Sequence, residues 1–148
     1  MQPENASRLR RAVHRLAREL NVSASTEGLS PSQASALGII VARGPLGVSE
    51  LAEIEGVNPT MVSRMVRILA DAGLVTRGAV ETDQRFASIE ATKRGRALDK
   101  KLRAARDAIV TKCVAALDPA EIEAITSALP ALENLVDELQ ANRSVTAL

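Results

Sequence analysis

Residues 48–92 read VSELAEIEGVNPTMVSRMVRILADAGLVTRGAVETDQRFASIEAT. A short helical pattern ends at Gly56, and a second one begins at Asn58. Two short runs typical of β-strands follow, at 74–75 and 86–91, and a polar loop separates them. The order predicts two helices around a tight turn and then a β-hairpin, all within one small unit.

The 148-residue chain as a whole has the composition of a mainly helical protein. Apolar residues make up 46% of it, but Phe86 is its single aromatic residue, so the core must be aliphatic. An aliphatic core suits helix packing better than a β-sandwich. Without a row of aromatic side chains, the chain also lacks the platforms on which single-stranded bases stack.

Several functional classes are disfavoured by the motifs that the sequence lacks. One cysteine and one histidine (Cys113, His14) cannot build a Cys/His zinc site, and we expect no cofactor. We find no Gly-rich phosphate loop, no Ser/His/Asp set and no paired carboxylates, so an enzyme is not expected. No run of about 18 apolar residues predicts a membrane span, and no signal peptide is recognisable. A reducing cytoplasm is the expected location.

The single Cys113 falls in a helical pattern among Val110, Val114 and Leu117. It has no partner for an internal disulfide. Free cysteines are commonly buried and behave as small apolar side chains. We therefore expect Cys113 to be buried and inert rather than a redox sensor.

Capping residues divide the chain into helices and predict a mainly α fold, which is α+β by strict count. Residues 30–92 hold the helix-turn-helix and hairpin, and a long connecting helix follows at 93–117. Helical arms at 1–29 and 118–148 flank them. The predicted helix caps are Ser30, Ser49, Asn58, Thr92 and Asp118.

The two arms carry apolar seams whose spacing alternates between three and four residues, as in helices that pack along one another. We expect Pro130 to kink the last helix and the chain to fray after Asn142. The seams are either buried within one chain or packed between two subunits. The second explanation is favoured because the small central unit cannot cover both seams. The predicted subunit contacts are Leu9, Val13, Leu16, Ile122, Ile125, Leu129, Leu132, Val136 and Leu139.

Charge is unevenly distributed along the chain, although its net value is only +1. Residues 58–106 hold eleven basic and five acidic side chains, a net +6, whereas residues 107–148 hold two and seven, a net −5. A basic segment on a nearly neutral chain is typical of a surface that contacts phosphates.

The helix that begins at Asn58 has two different faces. Its apolar side chains share one face and its polar side chains share the other, so one face can pack while the other meets a DNA groove. Arg can recognise guanine with two hydrogen bonds, and Ser and Thr suit phosphates or a thymine methyl group. The alternative is an ordinary solvated face. The polar face holds Thr60, Ser63, Arg64 and Arg67.

The central stretch resembles the MarR family of winged helix-turn-helix regulators. The residues that carry the resemblance are DAGLV at 71–75, DQR at 83–85 and TKRG at 92–95. Ala52 and Gly56 occupy the small and turn positions of a helix-turn-helix. The wing departs from the family pattern, because Glu81, Thr82 and Phe86 stand where more arginines are usual.

The resemblance implies how such a chain meets DNA. The helix at 58–72 would enter the major groove, and Asn58, Thr60, Ser63, Arg64 and Arg67 would contact DNA. At the wing, Arg85 would reach the minor groove or its phosphates. Asp83 would support the wing by pairing with an arginine or by capping the loop. The alternative for Asp83 and Arg85 is a plain surface ion pair.

The sequence therefore predicts a sequence-specific double-stranded DNA-binding transcriptional regulator, a repressor that binds a palindromic operator as a homodimer. The resemblance also implies release by a small-molecule effector, for which His14, Arg18 and Arg43 are conceivable contacts although solvated positions are expected for all three. The alternative function is a winged-helix protein-interaction module without specific DNA recognition. The net +6 of residues 58–106 favours the regulator, because a pure interaction module would not need it.

Overall fold

The computed structural model describes residues 2–25, 27–79 and 87–146, without the side chains of 22–25, 79, 87 and 143–146. This part of the chain is mainly helical, with one antiparallel two-stranded sheet, and confirms the predicted fold class. The elements are α1 (Pro3–Ser25), α2 (Pro31–Arg43), α3 (Val48–Glu55), α4 (Pro59–Asp71), β1 (Val75–Ala79), β2 (Ala87–Ala91), α5 (Lys93–Val114) and α6 (Pro119–Thr146).

Side-chain caps begin four of the five helices for which we predicted them. At α2, the Gln33 N–H donates to Ser30 Oγ at 3.2 Å, and the Ser30 N–H donates to Gln33 Oε1 at 2.8 Å. Asp118 and Glu121 form the same reciprocal pair at α6. Asn58 and Thr92 cap α4 and α5. Each cap satisfies backbone N–H groups that the first turn of a helix leaves unpaired.

The predicted cap of α3 is wrong. The cap residue is Gly47, which makes no side-chain capping bond, and Ser49 lies within the first turn. The cause is a long-range pairing: the Leu46 N–H donates to the Ile89 carbonyl at 3.1 Å and the Ile89 N–H donates back at 2.8 Å. This pairing holds the chain extended up to Gly47, and the helix begins directly after it.

Two other boundaries also differ from the predicted ones. Helix α5 ends at Val114 rather than Leu117. Helix α6 continues without a break through Pro130 and past Asn142 to Thr146.

The hydrophobic core lies entirely in the middle of the described chain. Side chains from α2, α3, α4, both strands and the first half of α5 meet around Leu37, Leu69 and Ile89, none of which is measurably exposed. The remaining core residues are Leu29, Ala34, Ala36, Ile40, Leu46, Leu51, Ala52, Val62, Met65, Val66, Leu74, Val75, Ala91 and Leu102.

The seams of the two arms are not buried within the chain. Leu16 on α1 is 63% exposed and Leu139 on α6 is 56% exposed. Large apolar side chains on the last part of α5, such as Val110, are also exposed. Leu9 and Ile122 are half-buried, so burial within one chain accounts for only a small part of the two seams.

The end of α4 and the start of α5 are held together at a tight junction. The Thr92 hydroxyl lies 2.8 Å from the Gly73 carbonyl oxygen and accepts the Gly95 N–H at 3.0 Å. Gly95 packs so closely that a Cβ there would lie 2.0 Å from the Leu74 carbonyl oxygen. Gly73 itself has φ of +69°, a left-handed conformation that glycine adopts without strain. The central unit is thus joined to α5 without a flexible linker.

Candidate nucleic-acid interface

Helix α4 is amphipathic in the way that the sequence predicted. Val62, Val66 and Leu69 are fully buried against the core. On the other side Thr60, Arg64 and Arg67 are exposed, and Ser63 is half-buried at the edge. Since one face is fixed by packing, the polar face is presented in a fixed orientation.

The turn between α3 and α4 sets the angle of that face. Gly56 ends α3 in a left-handed conformation with φ of +69°. Asn58 then caps α4, and its Oδ1 accepts the Met61 N–H at 2.9 Å. Asn58 therefore has a structural role in addition to the DNA contact predicted for it. Its amide donors lie beside the exposed first turn of α4, where unpaired backbone N–H groups favour phosphate.

The tip of the wing lies outside the described residues. The predicted wing residues Asp83 and Arg85 both fall there, as do Glu81, Thr82 and Phe86. Their proposed roles stay predictions. The strands that carry the wing are described, and they pair antiparallel from Val75 opposite Ala91 to Ala79 opposite Ala87.

Arg77 is a further cation at this surface, and the sequence analysis did not single it out. Its Nη2 donates to the backbone carbonyl of Ser63 at 3.3 Å, so the side chain connects β1 to α4. Alternation along the strand could have found it, because Val75 faces inward and residues two apart share a face. The sequence does not show which element packs against this face of β1, so it could not assign a partner to Arg77.

The arginines and lysines of the basic segment 58–106 differ in whether they already form ion pairs. Arg96 lies 3.4 Å from Glu90 Oε1, and Lys101 lies 2.7 Å from Glu27 Oε1. Among the described residues, Arg64 and Arg67 form no ion pair. The two arginines on the exposed face of α4 are therefore free to approach phosphates.

A groove of about 540 Å³ lies between α2, the end of α3, α5 and Gln140 of α6. Asp99 is only 3% exposed in its wall and is ion-paired with Arg103. Within the described part of the chain, Glu55 Oε1 and Arg106 Nε are buried without a hydrogen-bond partner. A small molecule that offers both a donor and an acceptor would complement these two atoms.

Of the three conceivable effector contacts, the structure brings one to this groove. Arg43 lines it, and lines a neighbouring hollow at the α3–α4 turn. His14 and Arg18 are exposed on α1, and Arg18 is 3.3 Å from Glu19. Neither residue lines the groove.

Cys113 is exposed, so the expectation of a buried thiol is wrong. Its apolar neighbours Val110 and Leu117 are themselves 41% and 38% exposed. No group of metal-ligating side chains occurs among the described residues. No described helix combines the length and apolarity needed to cross a membrane.

The helix-turn-helix, the two-stranded sheet after it and the capped long helix define a winged helix-turn-helix protein. The MarR family profile matches residues 29–86. An uncharacterised HTH-type transcriptional regulator of Mycobacterium bovis is 34% identical over 133 residues, which are 90% of this chain and 93% of that protein. The chain belongs to the MarR family.

Two further relatives cover most of the chain. The HTH-type transcriptional regulator TcaR of Staphylococcus aureus is 31% identical over 110 residues, 73% of this chain and 72% of TcaR. A crystal structure of a Mycobacterium tuberculosis MarR family protein in complex with p-aminosalicylic acid gives a TM-score of 0.69 at 28% identity. The match covers 86% of this chain and 97% of the other.

Proposed function

We propose that the chain represses transcription by binding a palindromic duplex site as a homodimer. As a member of the MarR family it is a DNA-binding transcriptional regulator, and the proposal concerns how it binds. The observation that carries the proposal is the exposed, unpaired Arg64 and Arg67 on a helix whose opposite face is buried. Such a helix can enter a major groove while the core holds its angle.

Within the groove, the polar side chains have different chemical roles. Arg64 and Arg67 recognise guanine edges through two hydrogen bonds each. Thr60 and Ser63 contact a thymine methyl group or phosphate oxygens, and Asn58 lies at the helix start beside the phosphates. Arg85 at the wing reaches the minor groove with Asp83 supporting it.

The exposed seams of α1 and α6 supply the dimer interface. A second copy is the partner that their composition fits, because the same chain offers apolar seams at both ends. A two-fold dimer would present two α4 helices about 34–36 Å apart, one turn of the duplex. The operator is therefore an inverted repeat.

The alternative, a winged-helix module that binds only protein, leaves the interface unexplained. A module that binds only protein would not need the net +6 of residues 58–106, whereas contact with phosphates does. Relatives at 34% and 31% identity are both described as HTH-type transcriptional regulators, which supports the DNA-binding function.

Selection of bound duplexes from a random pool and from genomic fragments tests the proposal. We expect an inverted repeat with half-sites centred about 10 base pairs apart. Affinity should reach the nanomolar range at moderate salt and fall steeply as salt rises. Failure of the purified protein to bind any duplex in a salt-sensitive way would refute the proposal.

Release by a small organic acid is the second part of the proposed function. The groove at Arg106 has the volume of small-molecule sites, and a relative binds p-aminosalicylic acid. Addition of that acid should weaken operator binding by the wild type. Arg106→Gln should bind DNA normally but respond less, whereas Arg18→Gln, on the exposed side of α1, should respond like the wild type. If the acid weakens operator binding by both variants equally, the groove is not the effector site.

A further inference from the structure

Arg77 connects the described part of the wing to α4. On β1, the Val75 side chain faces the core. Arg77 is two residues later, so its side chain lies on the same face of the sheet. Strand β1 lies at the edge of the core at this level, since Arg77 is exposed while Ile89, opposite it on β2, is buried. The side chain therefore reaches α4 and donates to the Ser63 carbonyl at 3.3 Å.

This hydrogen bond orients the guanidinium without using up its capacity. A guanidinium has five N–H donors in one plane. The Ser63 carbonyl belongs to the α4 ladder, so it is a rigid acceptor, and the bond to it engages a single nitrogen of Arg77. Among the described residues the Arg77 side chain has no other hydrogen bond or ion pair, so its remaining donors are available on an exposed surface next to α4.

The geometry of a duplex determines what meets those donors. If α4 lies in a major groove and the wing reaches the adjacent minor groove, one sugar–phosphate strand must pass between the two elements. Arg77 lies on one of these elements and is hydrogen-bonded to the other. We infer that Arg77 clamps a backbone phosphate on the ridge between the two grooves, an inference that rests on the proposed DNA-binding function.

Phosphate contacts of this kind fix register and orientation and carry no base identity. Arg77 would thus act differently from Arg64, which faces the groove floor. It would hold the wing and the helix at a set distance across the ridge, so that both can be engaged at once.

Arg96 offers a matched control for Arg77. It is also an exposed arginine of the basic segment, and its removal changes the net charge by the same amount. Its guanidinium is 3.4 Å from Glu90 rather than on α4. Arg77→Gln and Arg96→Gln therefore differ in position and partner but not in charge lost.

The test is equilibrium binding of the full chain to its selected operator, with single neutral methylphosphonates placed along each strand. Wild-type protein should lose affinity when the ridge phosphate of each half-site is neutralised. Arg77→Gln should bind roughly tenfold more weakly and should no longer respond to those substitutions. Its salt dependence should be shallower by about two units of slope per dimer, one for each lost contact. Arg96→Gln should keep the wild-type pattern.

Arg77→Lys separates the clamp from a simple positive charge. Lysine keeps the charge but cannot donate in a fixed plane to both Ser63 and a phosphate. We expect the salt slope of the wild type with affinity several times weaker. An Arg77→Gln protein with the wild-type methylphosphonate pattern, or an Arg77→Lys protein indistinguishable from wild type, would overturn the inference. Wild-type protein that binds no duplex would instead overturn the proposed function.

Discussion

The region from Leu29 to Leu102 and the two terminal arms differ in where their apolar side chains lie. Every described core side chain falls within the first. The arms expose theirs, with Val13 at 49% and Val136 at 52%. The central region therefore has a stability of its own, whereas the arms need a second surface to gain any from their seams.

In the proposed dimer, folding stability and subunit assembly depend on separate segments of the chain. The packing of α4 does not depend on the arms, because none of the described side chains of α1 or α6 belongs to the core. The spacing of two α4 helices does depend on the arms if they form the dimer. Substitutions in the two regions should consequently give different kinds of effect.

The largest expected effect is on assembly. Val136→Glu places a carboxylate in the α6 seam, and a two-fold interface would bury it twice. We expect dimerisation to weaken at least roughly a hundredfold, with operator binding falling alongside it. Sedimentation equilibrium and DNA-binding anisotropy would measure both.

Asn134→Glu is the control for that variant. It adds the same charge about 160° around the helix from Val136, on the polar face. It should leave assembly unchanged. If both variants stay dimeric, the α6 seam is not the interface.

The next effect should be on the intrinsic stability of the central region. Leu69 is completely buried, and Leu69→Ala should cost about 2–5 kcal/mol of unfolding free energy. The loss should be similar at every protein concentration in denaturant titrations.

Leu139→Ala is the matching substitution in the α6 seam, where Leu139 is 56% exposed in the single chain. Its effect should appear as a changed dependence of the midpoint on protein concentration. Equal, concentration-independent losses for Leu69→Ala and Leu139→Ala would mean that the arms belong to the same cooperative core.

A smaller effect is expected at the DNA-facing side of α4. Arg64→Ala should cost about 1–3 kcal/mol of discrimination at one base pair of each half-site, while stability stays unchanged. Binding measured across single-base operator variants would detect the relaxed preference. A uniform loss across all sequences would assign Arg64 to phosphate rather than to a base.

The smallest predicted effect concerns the cap of α4. Asn58→Ala removes the acceptor of the Met61 N–H and should destabilise the fold by about 0.5–2 kcal/mol. Asn58→Asp keeps the acceptor, so it should retain stability but repel phosphate. An Asn58→Asp protein with full DNA affinity would argue against a phosphate next to this residue.

Features encoded within a few residues could be predicted from the sequence. The capping pair of Ser30 and Gln33 and the cap at Thr92 need only local spacing. The two faces of α4 follow from the 3.6-residue period, and the buried side chains lie on the expected face. Because α4 carries most of the proposed DNA-binding surface, the residues of that surface could be predicted from the sequence.

Features that depend on distant contacts could not be predicted. The start of α3 is fixed by the pairing of Leu46 with Ile89, which are 43 positions apart, and Ser49 is therefore not the cap. Cys113 has apolar neighbours, but Val110 and Leu117 are exposed together with it, and whether such a group is buried depends on tertiary packing rather than on local sequence. The contact of Arg77 with Ser63 needs the pairing partner and the sheet's orientation to be known.

The tight junction at Thr92 and Gly95 couples the orientation of α5 rigidly to that of the central unit. The helix has 22 residues and is about 33 Å long. Because its first turn is fixed to the end of α4, the central unit must follow any tilt imposed near Val114. A tilt of about 6° moves the opposite end by about 3.5 Å, close to the rise of one base pair. In the proposed dimer, small rearrangements among the arms would therefore change the spacing of the two α4 helices enough that it no longer matches successive major grooves.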